Sequence, residues 1–290
     1  MEWLEVSVEV DDEAAEAVAE VLSRFAHRGV AIEAGGDGWN VGPLVVRAYL
    51  PASDELWSTK QEIHEALWHL GQIRPISEPA FDFVAEEDWA EAWKKRLEVL
   101  RVGKHIVIQP SWLDYEPRAQ DVVIQLDPGM AFGTGLHPTT QSCLRALEEF
   151  VRPGMDVLDI GTGSGILAIA AAKLGAQHVL AVDNDAAAAK VAQKNVGANK
   201  AQRIVKVKRG SLSDVSGSYD LVVVNILARV IVEMGEGGLA QRLRPDGMVI
   251  SAGITADSAT EVIEAFERGE LQLLDHRQQG DWITLVARRV

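Results

Sequence analysis

From residue 153 onward the chain repeats one arrangement, an unbroken apolar run followed by a stretch of helical periodicity. The runs are MDVLDI, HVLAVD, IVKVKRG, YDLVVVNIL and GMVISAGI; GILAIAAAKLG, AAAAKVAQKNVGAN and DSATEVIEAFERG are among the helical stretches. Strands that are apolar throughout have both faces covered, and strands joined through helices run parallel. The pattern therefore predicts a doubly wound, Rossmann-like α/β domain. Its ligands are expected beyond the carboxyl ends of the strands. Two last runs, LQLLDHRQ and WITLVARR, are suited to a terminal hairpin beside the parallel strands, making seven in all.

The first 86 residues follow a different rule. WLEVSVEV alternates as a half-buried strand does, and a helix follows, capped by Asp11 or Asp12, faced by Ala14, Val18, Val21, Leu22 and Phe25, and stopped by Gly29. VAIEA, VGPLVVRAYL and AFDFVAE read as further strands, with a second helix in SDELWSTKQEIHEALWHLG. Strand, helix, strand, strand, helix, strand is the split βαβ order of a small ferredoxin-like α+β domain. That fold hosts many functions, so it supports only an accessory role. Residues 87–126 are expected to form a connector that packs on the second domain. Trp89 and Trp93 make a packing stripe there, and HIVIQPSW and DVVIQLD are short strands. The division expected is thus 1–86, 87–126 and 127–290.

Composition excludes several classes. Of 290 residues 47% are hydrophobic, ample for two cores. No apolar run reaches membrane-spanning length, and the acidic start lacks the basic and apolar regions of a secretion signal. The single Cys143 rules out an internal disulfide or a cysteine zinc site, so no metal is expected, and it fits a reducing cytoplasm. A net charge of −15 opposes nucleic-acid binding. Residues 1–75 hold 14 acidic against 5 basic side chains, which serves either solubility or docking of a basic partner.

The chemistry is concentrated at strand ends. LDIGTGSG places Asp159, Gly161, Gly163 and Gly165 in the turn after the first strand of the series, where glycines let backbone N–H groups approach a ligand. Asp183, ending the second strand 22 residues after Gly161, stands where an acid accepts both ribose hydroxyls. Asp185, directly before an alanine run, is the better helix cap. A dinucleotide is disfavoured, because the sixth position of the GxGxxG pattern is Ile166. Asn225 ends the fourth strand and is expected to face the site. Upstream, DPGMAFGTGLHPTT is a second glycine-rich turn into a helix, with Pro138 suited to the first turn and Thr139 and Thr140 adding hydroxyls. Phe132 is either a core plug or a lid. His137 is a candidate proton acceptor, although a histidine before proline is commonly a turn residue.

The DxGxGxG pattern resembles the first motif of the seven-strand, S-adenosylmethionine-dependent methyltransferases. Taken together, DPGMAFGTGLHPTTQSCL, LDIGTGSG, AVDND and NILA closely resemble the methyltransferases of large-subunit ribosomal protein eleven, the PrmA type. The resemblance covers both domains. It implies S-adenosylmethionine as cofactor, with Thr140, Gly161, Asp183 and Asn225 at cofactor-contacting positions and Asp159 and Gly163 beside them. It further implies methylation of lysine side-chain and N-terminal amines of a basic ribosomal protein recognised by the N-terminal module. Asn225, Phe132 and His137 are the substrate-side candidates, and no general base is assigned. Competing readings are a methyltransferase of another protein or small-molecule amine, a nicotinamide-dependent dehydrogenase, and a binding protein without catalysis.

Overall fold

The computed structural model describes residues 2–23, 25–26, 30–34, 44–51, 56–71, 76–85, 98–127 and 135–290. The chain parts into two compact units, Met1–Leu97 and Glu98–Val290. Among the described residues no helix is long and apolar enough to cross a membrane.

The first unit consists of β1 (Glu2–Val10), α1 (Asp12–Ser23), β2 (Val30–Ala34), β3 (Leu44–Pro51), α2 (Leu56–Gly71) and β4 (Ala80–Ala85). The strands form one antiparallel sheet in the order β2-β3-β1-β4. Alternation in β1 sends Leu4, Val6, Val8 and Val10 into a core closed by Val18 and Leu22 of α1 and by Ile63 and Leu67 of α2. Asp11 is the residue that caps α1, its Oδ1 accepting the Ala14 N–H at 2.8 Å. On the other face Glu5 accepts from Arg47 and from the Tyr49 hydroxyl of β3. Gly29 and the Trp89 and Trp93 stripe lie outside the described residues.

The second unit begins with a small sheet of β5 (Leu100–Val102), β6 (Ile106–Pro110) and β7 (Val122–Leu126), with β5 antiparallel and β7 parallel to β6. Then come α3 (Pro138–Phe150), β8 (Asp156–Ile160), α4 (Ile166–Lys173), β9 (His178–Asp183), α5 (Ala186–Ala198), β10 (Val205–Arg209) and β11 (Tyr219–Asn225). They are followed by α6 (Ala228–Glu236), β12 (Leu243–Thr255), α7 (Ala259–Arg268), β13 (Leu271–Gln279) and β14 (Trp282–Arg289). β8 to β14 make one mixed sheet of seven strands in the order β10-β9-β8-β11-β12-β14-β13. The first five are parallel, whereas β14 runs antiparallel to both of its neighbours, which is the expected closing hairpin.

The apolar strand runs follow from burial on both faces. Val157, Leu221 and Val223 point to one core, built with α3, α4, α5 and the small sheet; Leu158, Val222 and Val224 point to the other, built with α6 and α7. Helix α4 is buried along Ile166–Ala172 because β7 lies on one side of it and β8 and β9 on another. Its sequence, ILAIAAAK, accordingly has no polar stripe. At the amino end of the sheet, Arg244 of β12 donates to Asp220 of β11 and Asp156 of β8, and His178 of β9 bonds Asp156. This ties four strands together at the end opposite their loops. The His178 hydrogen bond, reinforced by Arg244, holds the Asp156 carboxyl below its ordinary range against the opposing effect of burial. From β8 the chain winds outward to β9 and β10, then returns to β11 and β12 on the other side, so the order reverses between β8 and β11. A crevice at the carboxyl ends is expected at that reversal.

Candidate functional site

The residues singled out in the sequence collect at this reversal. The turn Gly161–Gly165 follows β8, Asp183 ends β9, Asn225 ends β11, and α3 starts next to them. Asn225 Nδ2 donates to Thr140 Oγ1 at 3.4 Å, joining residues 85 apart. Both side chains are nearly buried, at 9% and 1% exposure. The fold thereby unites the root of the upstream loop with the end of the fourth strand of the series.

The glycine turn is held from two sides. Asp183 Oδ2 accepts the Gly163 N–H at 2.8 Å, and its Oδ1 accepts the Asp185 N–H at 3.0 Å. Asp185 caps α5 through the Ala187 N–H, which leaves each Asp183 oxygen with capacity for one further donor. Beneath the turn, Asp159 is fully buried, and its Oδ2 accepts from the Thr162 hydroxyl at 2.6 Å and the Ala168 N–H at 3.1 Å. Its Oδ1 has no hydrogen-bond partner. Burial, and secondarily the Asp183 charge, push this carboxyl up to about 7 in spite of the two donors.

The three glycine amides of the turn are engaged within the protein and not offered to a ligand as the sequence suggested. The N–H groups of Gly161 and Thr162 bond Val182 O, that of Gly163 bonds Asp183, and that of Gly165 bonds Thr162 O. The glycines are required for another reason. Gly161 has φ +72°, and a Cβ there would stand 2.4 Å from Ile226 Cγ2. A left-handed conformation and close approach of the next loop both favour glycine.

His137 is the N-cap of α3, its Nδ1 accepting from the Thr139 N–H, with Pro138 following in the first turn. Its ring packs edge-on against Trp282, with centroids 4.8 Å apart, and burial lowers its pKa, so the neutral form that caps is favoured. This geometry makes it a turn and cap residue. Phe132 lies outside the described residues. Cys143 is buried in the core within α3, and burial raises its thiol pKa. Among the described residues no group of three or more His, Cys, Asp or Glu is placed to hold a metal.

Two residues that sequence reading passed over tie α5 to its surroundings, one of them to the glycine turn. Asn195 of α5 bonds the Ser164 carbonyl and the Asp127 N–H. Asn199, one turn on, bonds both the N–H and the carbonyl of Gln125 in β7. The only signal available was two asparagines four apart on an otherwise small-residue helix face, and an amide's partners depend on tertiary neighbours.

Comparison with known proteins gives consistent results. A family model described as "Ribosomal protein L11 methyltransferase (PrmA)" matches residues 2–290. The ribosomal protein L11 methyltransferase of Chloroflexus aurantiacus is 46% identical, across 99% of this chain and 98% of its own. That of Listeria monocytogenes serotype 4b is 40% identical, across 100% and 99%. Among solved structures, the ribosomal protein L11 methylase of Lactobacillus delbrueckii subsp. bulgaricus is similar with a TM-score of 0.61 at 36% identity, covering 67% of this chain and 100% of that one.

Proposed function

This chain belongs to the ribosomal protein L11 methyltransferase family and is a methyltransferase, and on that premise we propose that it moves methyl groups from S-adenosylmethionine to lysine side-chain and N-terminal amines of ribosomal protein L11. The observation that carries the assignment of the site is the convergence of Asp183, the glycine turn, Asn225 and Thr140 at the reversal of strand order. Those residues fit an adenosyl sulfonium. Asp183 has acceptor capacity left for the ribose hydroxyls, Gly161 and Gly163 put no side chain over the turn, and Thr140 brings a buried hydroxyl. Asp159 acts from below, fixing the turn through Thr162 and Ala168. When bound, the cofactor supplies an electrophilic methyl group on positively charged sulfur.

The chain's own task is to hold a neutral amine in line with that methyl group in a site shielded from water. Asn225 suits this role: its Nδ2 is engaged by Thr140, and its carbonyl oxygen, with no protein partner among the described residues, is left to accept an amine N–H. Losing a proton at pH 7 costs a lysine amine about 4–5 kcal/mol and an N-terminal amine about 1 kcal/mol. A low-dielectric site next to a sulfonium lowers the amine pKa, which removes part of this cost without a dedicated base. His137, occupied as a cap, is not given that role.

The first unit is read as a ferredoxin-like substrate-recognition domain, supported by its strand order β2-β3-β1-β4 and by the 14 acidic against 5 basic residues over 1–75, which suit a basic ribosomal partner. We assign 1–86 to recognition, 87–126 to the link and 127–290 to catalysis, with the cytoplasm as the place of action. Incubating the protein with radiolabelled S-adenosylmethionine and purified L11 tests the reading. Label on L11 lysines and N-terminus is expected; label on a different protein of an extract, with none on L11, overturns the substrate.

A further inference from the structure

Helix α5 bonds the glycine turn and Asp127, the residue that follows β7. Its Ala192 packs against the start of α4, where a Cβ on Gly165 would lie 3.2 Å from Ala192 Cα and Cβ. One turn further on, the Asn195 side chain is 1% exposed, and both ends of its amide are used. Nδ2 donates to the Ser164 carbonyl in the glycine turn at 2.8 Å, while Oδ1 accepts at 3.2 Å from the N–H of Asp127, the residue from which the upstream loop departs. Asn199 and Lys194 strengthen the second attachment, the one by pairing with Gln125 and the other through a 2.6 Å ion pair to Asp127. Asn195 thus bonds both the glycine turn and Asp127. An amide donates at one end and accepts at the other, so one Asn side chain meets a carbonyl and an N–H at two separate points.

We infer that Asn195 is a positioning residue of the methyltransferase, setting the distance between Asp127, which follows β7, and the glycine turn and so the place of the turn against the cofactor. The inference rests on the site assigned above. Asn195 acts through Ser164 and Asp127 and not by contact with substrate. Removing its amide leaves a buried carbonyl and a part-buried N–H to find new partners, and the glycine turn shifts to do so.

The test is titration of S-adenosylmethionine into the wild-type protein, Asn195→Ala, Asn195→Asp and Arg268→Met, with melting temperatures measured alongside. Asn195→Ala is expected to weaken binding roughly tenfold or more. Asn195→Asp, which keeps the acceptor for Asp127 and loses the donor to Ser164, should fall between it and wild type. Arg268→Met, which cuts only exposed ion pairs to Glu236 and Glu264 away from the site, should bind as wild type does. A lower melting temperature for Asn195→Ala with unchanged affinity would reduce Asn195 to a stability role and overturn the inference. Absence of binding by the wild type would instead overturn the site itself. Hydrogen exchange on the wild type covers the case in which the Asn195 variants fail to fold. S-adenosylhomocysteine should slow exchange at the Asp127 amide together with the Gly163 amide, and protection confined to the glycine turn would contradict the coupling.

Discussion

Asp159 and Asp183 are two carboxylates at one turn with opposite tasks. Asp183 keeps acceptor capacity for a ligand, whereas Asp159 is buried with one oxygen satisfied twice and the other not at all. Its pKa of about 7 in the folded chain, against an ordinary 3.8, has a definite consequence for stability. Between those values the folded state binds more protons than the unfolded one, so this group favours folding most at low pH and loses that contribution as pH rises toward 7. Asp159→Asn cannot ionise. The melting temperature of the wild type relative to Asp159→Asn should therefore fall as pH is raised from 5 to 8, and a difference independent of pH would show that Asp159 is not protonated near neutrality. Asn225→Ala, which leaves Thr140 without its partner, should lower turnover and cofactor affinity while circular dichroism stays native; wild-type rates would remove Asn225 from the site.

The elements were legible where burial imposes a pattern. Strands β8, β9, β11 and β12 are apolar on both sides because helices cover both faces, and that is visible in one dimension. β5 was not legible: three residues, Leu100–Val102, are too few to show alternation, and it exists because β6 is beside it. The parallel pairing of β6 with β7 was likewise hidden, since nothing in HIVIQPSW or DVVIQLD states which neighbour each will find. Asp185 was readable as a cap from its place before the alanine run. Asp185→Ala should cost about 1 kcal/mol, or roughly 2–4 °C in melting temperature, with cofactor affinity little changed. At the site, Asp183 and the glycines announce themselves by spacing. The engagement of the turn's amides by Val182 and Asp183, and the Asn195 clamp, arise from contacts between distant segments and carry no local signature.

At the scale of the molecule the division of labour follows from separate cores, one in the first unit and one on each face of the sheet in the second. A chain beginning at residue 98 retains the seven-stranded sheet and every described site residue. It should bind S-adenosylmethionine as the full chain does and lose methylation of L11; retained protein methylation would show that recognition lies in the second unit. Because the first unit is acidic, the KM for L11 should rise with salt while the affinity for cofactor changes less, as expected for attraction between exposed charges.

Methyl transfer by this chain depends most on a pocket for an adenosyl sulfonium at the carboxyl ends of β8, β9 and β11. Isothermal calorimetry of folded wild type and Asp183→Ala with S-adenosylmethionine tests it directly. One site per chain in the wild type, and binding lost or weakened by at least about tenfold in Asp183→Ala, is the predicted result. Equal binding by both proteins, or no heat from the folded wild type, would contradict it.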